Sequence, residues 1–362
     1  MKHPRLTTAL TILPLCAALA APAGCTDEGE SSDARLAVAI TTCVDDHIVP
    51  GFATLDERSG AYLSAATAFC QAPDEATLAS LQGQWRALSE AWNRVSLYNL
   101  GPLSDDVVFP RIIFIDSMRL RGTDYTETVR EALAVALAGD ATLNVDYVAK
   151  QPFTDQGLLA LEVLSFESTA AGHPTAAADV VADYTAQPRK CDYLLGVAGR
   201  LDVVIGEVLA GWRVDFADSG APFRDAMVAG ELPDGAEAAP ALLLAIHEHL
   251  DYVKTRKLEG LLDARLADHF YANVRASLDA LGELLRRDEA GDRYGLLDHM
   301  ASRGFTDQVA AVEATLAAAR AAADAEDRDA LTAAFAALEG SFKRELPDGL
   351  DVDLGITFTD GD

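Results

Sequence analysis

The chain has 362 residues, half of them apolar, and carries 57 acidic against 29 basic side chains for a formal charge of −28. An acid excess of that size repels phosphate backbones, and with no basic run interleaved with aromatics it excludes nucleic acid as a partner. The five cysteines have the wrong spacing for a cysteine-type zinc site.

Residues 1–24 have the three-part form of a secretory signal: Met-Lys-His-Pro-Arg5, an apolar run from Leu6 to Ala21, and small residues ending at Gly24. The run is short for a membrane span. Ala-Gly before Cys25 is similar to a bacterial lipobox, with Pro22 in the place of the usual aliphatic residue, so Cys25 is expected to carry lipid once the signal is removed. Residues 25–33, rich in Ser, Glu, Asp and Gly, read as a flexible tether. No later run suggests a second span, which predicts a soluble body held at a membrane surface through Cys25.

Beyond the tether, Ala, Leu, Glu and Arg recur at three- and four-residue spacing in 34–70, 75–98, 126–138, 190–215, 239–258, 266–287 and 306–342. Pro73-Asp74 and Thr306-Asp307 read as helix starts, while Gly101-Pro102, Gly172-His173-Pro174 and Gly230 to Gly235 punctuate the pattern. The expectation is an all-α protein of bundle type. Length suggests two domains, and the loop-rich stretch 168–189 gives the boundary: an N-terminal bundle over 34–180 and a C-terminal one over 181–362. Each half has a Trp in a long helix followed by a Gly or Pro turn, Trp92 and Trp212, which hints at duplication. Of the mature cysteines, Cys43 and Cys70 would lie about 40 Å apart on one continuous helix unless Pro50-Gly51 folds it back. The favoured disulfide is therefore Cys70 with Cys191.

One carboxylate stands out. Glu162 lies inside Gly157-Leu-Leu-Ala-Leu-Glu-Val-Leu-Ser-Phe166, apolar all round, so it must be paired, protonated or used. Its partner is either a neighbouring Arg, Lys or Tyr or a bound cation. Asp116-Ser117 follows another apolar run, and Arg111 could pair with Glu162 or Asp116. His247-Glu248-His249 lacks the zinc-protease spacing, because Asp251 stands four beyond His247; beside Lys254, Arg256 and Lys257 it reads as a solvated or salt-bridged helix face. His269 and His299 read as packed or surface histidines. Asp360-Gly-Asp362 offers carboxylates suited to a hard cation.

Several pieces in order resemble one family: Phe69-Cys70, Trp85 and Trp92 leading to Leu100-Gly101-Pro102, Ile115-Asp116-Ser117, Gly157 to Phe166, Cys191-Asp-Tyr-Leu194, Lys257-Leu-Glu-Gly260, and Leu354 to Asp362. Over 34–362 the chain is similar to the imelysin-like proteins, also classified as insulin-cleaving metallopeptidases. The resemblance implies two helical bundles, a periplasm-facing lipoprotein of the outer membrane, and iron-uptake transporter components as partners. It implies a cleft lined by Gly157, Glu162, Asp116 and Ser117 near Arg111, with Glu162 as ligand to a divalent or ferric ion. The family's Gly-x-His-x-x-Glu motif is matched at Gly157 and Glu162, but Leu159 stands in the histidine place and cannot coordinate metal. Met118 and Arg119 likewise replace the Trp and Pro that follow Ile-Asp-Ser. Peptidase activity is therefore not expected. The expectation is a ligand- or metal-binding component linked to iron acquisition. One alternative is a metal-dependent peptidase whose imidazole comes from elsewhere, such as His247; the other is an envelope scaffold contacting a transporter. Glu162 beside Asp116 in an open cleft would favour binding, and a filled interior the scaffold.

Overall fold

Apolar residues at helical spacing meet in one core while the charged positions between them face outward. The computed structural model describes residues 32–119, 123–169, 175–260, 263–285 and 294–355. The signal, Cys25, the tether before Ser32 and the Asp360-Gly-Asp362 end lie outside the described residues.

Helix α1 (Ser32–Thr42) leads through a π-helical turn at Cys43–Ile48 into α2 (Val49–Gln71), and α3 (Glu75–Val95) returns beside it. Then come α4 (Arg111–Ile115), α5 (Thr126–Ala138), α6 (Val145–Val148), α7 (Gly157–Phe166) and α8 (Ala177–Ala186). The long α9 (Arg189–Arg213) is followed by α10 (Phe223–Ala229), α11 (Ala238–Tyr252), a second π-helical turn at Val253–Lys257, and α12 (Leu258–Gly260). The chain continues with α13 (Phe270–Leu285), α14 (Leu296–Ser302), α15 (Thr306–Asp324), α16 (Arg328–Lys343) and α17 (Glu345–Leu350). No strand occurs among the described residues, and an isolated bridge joins Glu231 and Glu237. The fold is all-α, as its periodicity requires.

Local chemistry sets the helix ends. Asp74 accepts from the Thr77 amide at 2.7 Å, and the Thr77 hydroxyl accepts from the Asp74 amide, a reciprocal cap that starts α3. The stretch Ser32–Gln71 is long and apolar enough, by length and composition, to cross a membrane. Its α2 part buries Phe52, Leu55, Tyr62, Ala66 and Phe69 against the body, which makes it a core helix.

The residues from Ser32 onward form one compact unit. Helix α2 packs along both α3 and α9, and α7 lies across α3 and α9. A second set, α11, α13, α15 and α16, joins the first where α13 packs on α3. The division expected at 180/181 thus falls inside α8 and would separate α2 from α9. The stretch 168–189 contains α8 and leads into α9. A disulfide between Cys70 and Cys191, with Cα atoms 5.6 Å apart, ties α2 to the start of α9 across 121 residues. The two tryptophans read as a possible repeat have unlike surroundings: Trp212 stacks on Phe52 at 5.6 Å, whereas Trp92 reaches Asp116.

Candidate functional site

Gly157 starts α7 with φ +75°, and a Cβ there would lie 2.5 Å from the Ile115 carbonyl oxygen. Only glycine permits both the left-handed backbone and that approach. The contact sets the end of α4, and so Asp116, beside α7. The Trp85 indole donates to the Leu158 carbonyl at 3.1 Å and its ring meets Phe166 edge-on, which fixes α7 against α3.

Held this way, Glu162 is 2 % exposed. Its Oε1 accepts from the backbone amides of Leu266 at 2.7 Å and Ala267 at 3.0 Å. Those amides point inward because the turn before α13 bends through left-handed residues, Ala264 at φ 53° and Asp268 at φ 51°. Burial pushes the Glu162 carboxyl up to about 8 against the Ala267 amide; the Asp263 charge adds to the rise, and the Leu266 amide and Arg265 oppose it. At pH 7 Glu162 is therefore mostly a neutral acid held by dipoles.

Asp116 belongs to a charged network beside it. The Lys257 ammonium lies 3.1 Å from Asp263 and 3.5 Å from Asp116. Lys257 is 2 % exposed. Burial alone would lower its pKa, but the charges of Asp263 and Asp116 outweigh that and raise it, so it stays an ammonium ion. Asp116 also accepts from the Tyr252 hydroxyl at 3.3 Å and the Trp92 indole at 3.4 Å. Arg119 covers the Tyr252 ring at 4.4 Å, and Asn273 donates to Asp263 at 3.2 Å. One cation, Lys257, thus serves two carboxylates, with Arg119 on the neighbouring Tyr252 ring. Among these groups remains a cavity of about 20 Å³, bordered by Glu162, Asp116, Asp263, Leu159 and Met118. That holds about one water and no substrate.

The Imelysin family profile, a peptidase family, matches residues 48–348. The chain belongs to the imelysin family. An imelysin-like protein from Psychrobacter arcticum has the same fold, with a TM-score of 0.64 at 18 % identity over 90 % of this chain and 98 % of that one. A protein from Parabacteroides distasonis named as an iron-regulated protein A precursor superposes with a TM-score of 0.57 at 14 % identity, covering 88 % of this chain and 96 % of that one. No curated protein matches the chain.

In this imelysin the position of the family's motif histidine, Leu159, borders the cavity with a hydrocarbon side chain. Glu162 already spends Oε1 on two amides, and no group of three or more His, Cys, Asp or Glu among the described residues is arranged to hold a metal ion. The place between Asp116 and Asp263 where a cation would neutralise both is taken by the Lys257 ammonium. The donor set present does not fit a metal.

Other expected site residues fall elsewhere. Arg111 pairs with Asp105 and, at 3.1 Å, with Glu207, both on the surface, so it reaches neither Glu162 nor Asp116. Ser117 is buried with no hydrogen-bond partner for its hydroxyl. His247 faces Glu339 at 3.9 Å and does not border the Glu162 cavity. The face expected to be solvated or salt-bridged is salt-bridged and largely inward: Lys254 pairs with Glu339, His249 is fully buried against Ser277 at 3.1 Å, and Lys257 sits in the core. Burial and the charges of Arg119 and Lys257 hold His249 well below the ordinary histidine range, so it is neutral. Sequence reasoning missed Lys257, Asp263, Tyr252 and Arg119. The available signal was Lys257-Leu-Glu-Gly260, a family landmark whose lysine read as one of three surface cations.

Proposed function

We propose that this chain is a non-peptidase imelysin that acts as a lipid-anchored binding scaffold of the bacterial envelope, linked to iron acquisition. The single observation that carries this reading is the Lys257 ammonium between Asp116 and Asp263, 3.5 and 3.1 Å away, beside a cavity of only about 20 Å³. A metallopeptidase needs an open coordination place and an activated water, and a resident ammonium supplies neither. The filled interior favours a scaffold over a binder of metal or small ligands at Glu162. The lipobox-like sequence before Cys25 supports the anchor, and the iron-regulated relative supports the link to iron.

Thermal melts of the mature protein with ferrous, ferric, zinc and copper ions, and chelator-controlled digestion of an unfolded protein substrate, test the reading. No metal-dependent shift and no chelator-sensitive cleavage are expected. Either one, from protein made in a host lacking other peptidases, overturns it. Cys25→Ser should release the protein from membranes into the soluble fraction, and retention there removes the anchor.

A further inference from the structure

A second, larger hollow borders none of the Glu162 cavity. A groove of about 500 Å³ runs between α10, α11 and the 99–105 loop. Its apolar wall includes Phe216, Phe223 and Leu244. Ala241, Leu244, Ala245 and Glu248 fall on one stripe of α11 at helical spacing and Glu237 precedes the helix, so the wall presents an apolar line with acid at each end. Asp105 and Asp234 bring the carboxylates to four, and no lysine or arginine lines the groove.

Beside it stands the most exposed apolar feature of the described chain. Val107 is 102 %, Val108 67 % and Phe109 58 % exposed, three consecutive residues. They are not a slack loop: Asp106 Oδ1 accepts from the amides of Val108 and Phe109, both at 2.7 Å, and Arg111 pins the neighbouring Asp105. An apolar group displayed on a fixed turn next to an apolar groove is the arrangement of a preorganised contact.

Charge selects the occupant. A second copy of this chain would bring another acidic rim and another net charge of −28. Leu354, near the chain's own end, already lines the groove, and the carboxylates that follow it in sequence, Asp360 and Asp362, carry the same sign as the rim. Anionic lipid meets the same objection at Asp105 and Asp106. We propose that this groove and the Val107–Phe109 knob dock a segment of a partner protein that presents an apolar anchor flanked by lysines or arginines. The proposal rests on the scaffold reading and names the surface and chemistry of the contact.

Fluorescence anisotropy on the mature chain tests it, with a short peptide alternating leucine and lysine as probe and leucine–glutamate and serine–lysine peptides as controls. The leucine–lysine peptide should bind, and each control should bind at least about tenfold more weakly. Val108→Ser with Phe109→Ser, and separately Glu237→Lys with Glu248→Lys, should each weaken binding about tenfold without changing the melt. Asp324→Lys with Asp329→Lys, an equal reversal at the exposed α15–α16 turn, should change it less than about twofold. Equal binding of the serine–lysine peptide, or an equal loss from the α15–α16 reversal, would reduce the contact to bulk charge and overturn the proposal. So would a tenfold gain on truncation after Gly355, which would assign the groove to the chain's own end, or a dimer dissolved by Phe109→Ser. A metal response in the interior with these peptide results intact would instead remove the scaffold reading and leave the surface standing.

Discussion

Two carboxylates of the α2–α3–α7–α9 region, Asp183 and Glu162, are both buried, yet their pKa values move in opposite directions. Burial alone would raise both. Around Asp183 the Lys190 ammonium at 2.6 Å, with the Thr169 amide at 2.8 Å and hydroxyl at 2.6 Å, outweighs burial and holds the carboxyl below its ordinary range. Glu162 has only two backbone amides, and its carboxyl rises to about 8. Here a point charge in direct contact offsets desolvation, whereas two peptide dipoles opposed by the Asp263 charge do not. The Lys257 network follows the Asp183 solution, with one ammonium serving two carboxylates.

The comparison is sharpest at the two lysines. Lys257→Met strands both Asp116 and Asp263, which keep only uncharged donors from Tyr252, Trp92 and Asn273, and should cost about 5 kcal/mol in urea unfolding. A cost near zero would mean that the network is solvated and the interior open. Next in size is the covalent tie beside Lys190: replacing Cys70 and Cys191 with serine should cost about 4 kcal/mol, since the bond closes a long loop. Hydrogen exchange in that variant should rise first around α8 and α9 and leave the Lys257 region protected. Lys190→Met should cost about 3 kcal/mol, less than Lys257→Met, because Asp183 keeps both Thr169 bonds. Equal costs for the two lysines would break the distinction.

The smallest effect in acid, and the most diagnostic, belongs to Glu162. Its folded pKa of about 8 stands above the ordinary 4.5, so the folded state holds the proton more tightly. The associated stability is complete below about pH 4.5 and is lost as pH rises through 8. Asp183 has the opposite sign, with its contribution present above the ordinary 3.8 and lost as pH falls through its lower folded value. Glu162→Gln keeps an oxygen for both amides, so the change below about pH 4.5, where Glu162 is protonated in both the folded and the unfolded parent, should be under about 1 kcal/mol. Between about pH 4.5 and 8 the variant should become the more stable form, as the parent loses the Glu162 contribution and the variant does not. A loss of about 3–5 kcal/mol at pH 6 would show instead that a charged Glu162 is paired in the fold.

The sequence by itself determined the helices, because apolar residues at three- and four-residue spacing bury only when the chain coils that way. It also determined the family, through landmarks whose order survives at low identity, and it showed that Glu162, in a segment apolar all round, had to be buried. Arg111, the cation considered for Glu162 or Asp116, turned to Asp105 and Glu207. The partners of Glu162 are amides 104 and 105 residues away in a turn whose left-handed bends no local pattern announces. Lys257 stands with Lys254 and Arg256 in what reads as a basic surface, but the π-helical turn at Val253–Lys257 departs from α-helical spacing, and the lysine lies in the core. Helical spacing therefore predicts the wrong face there, and only packing against Asp116 and Asp263 decided where the charge went.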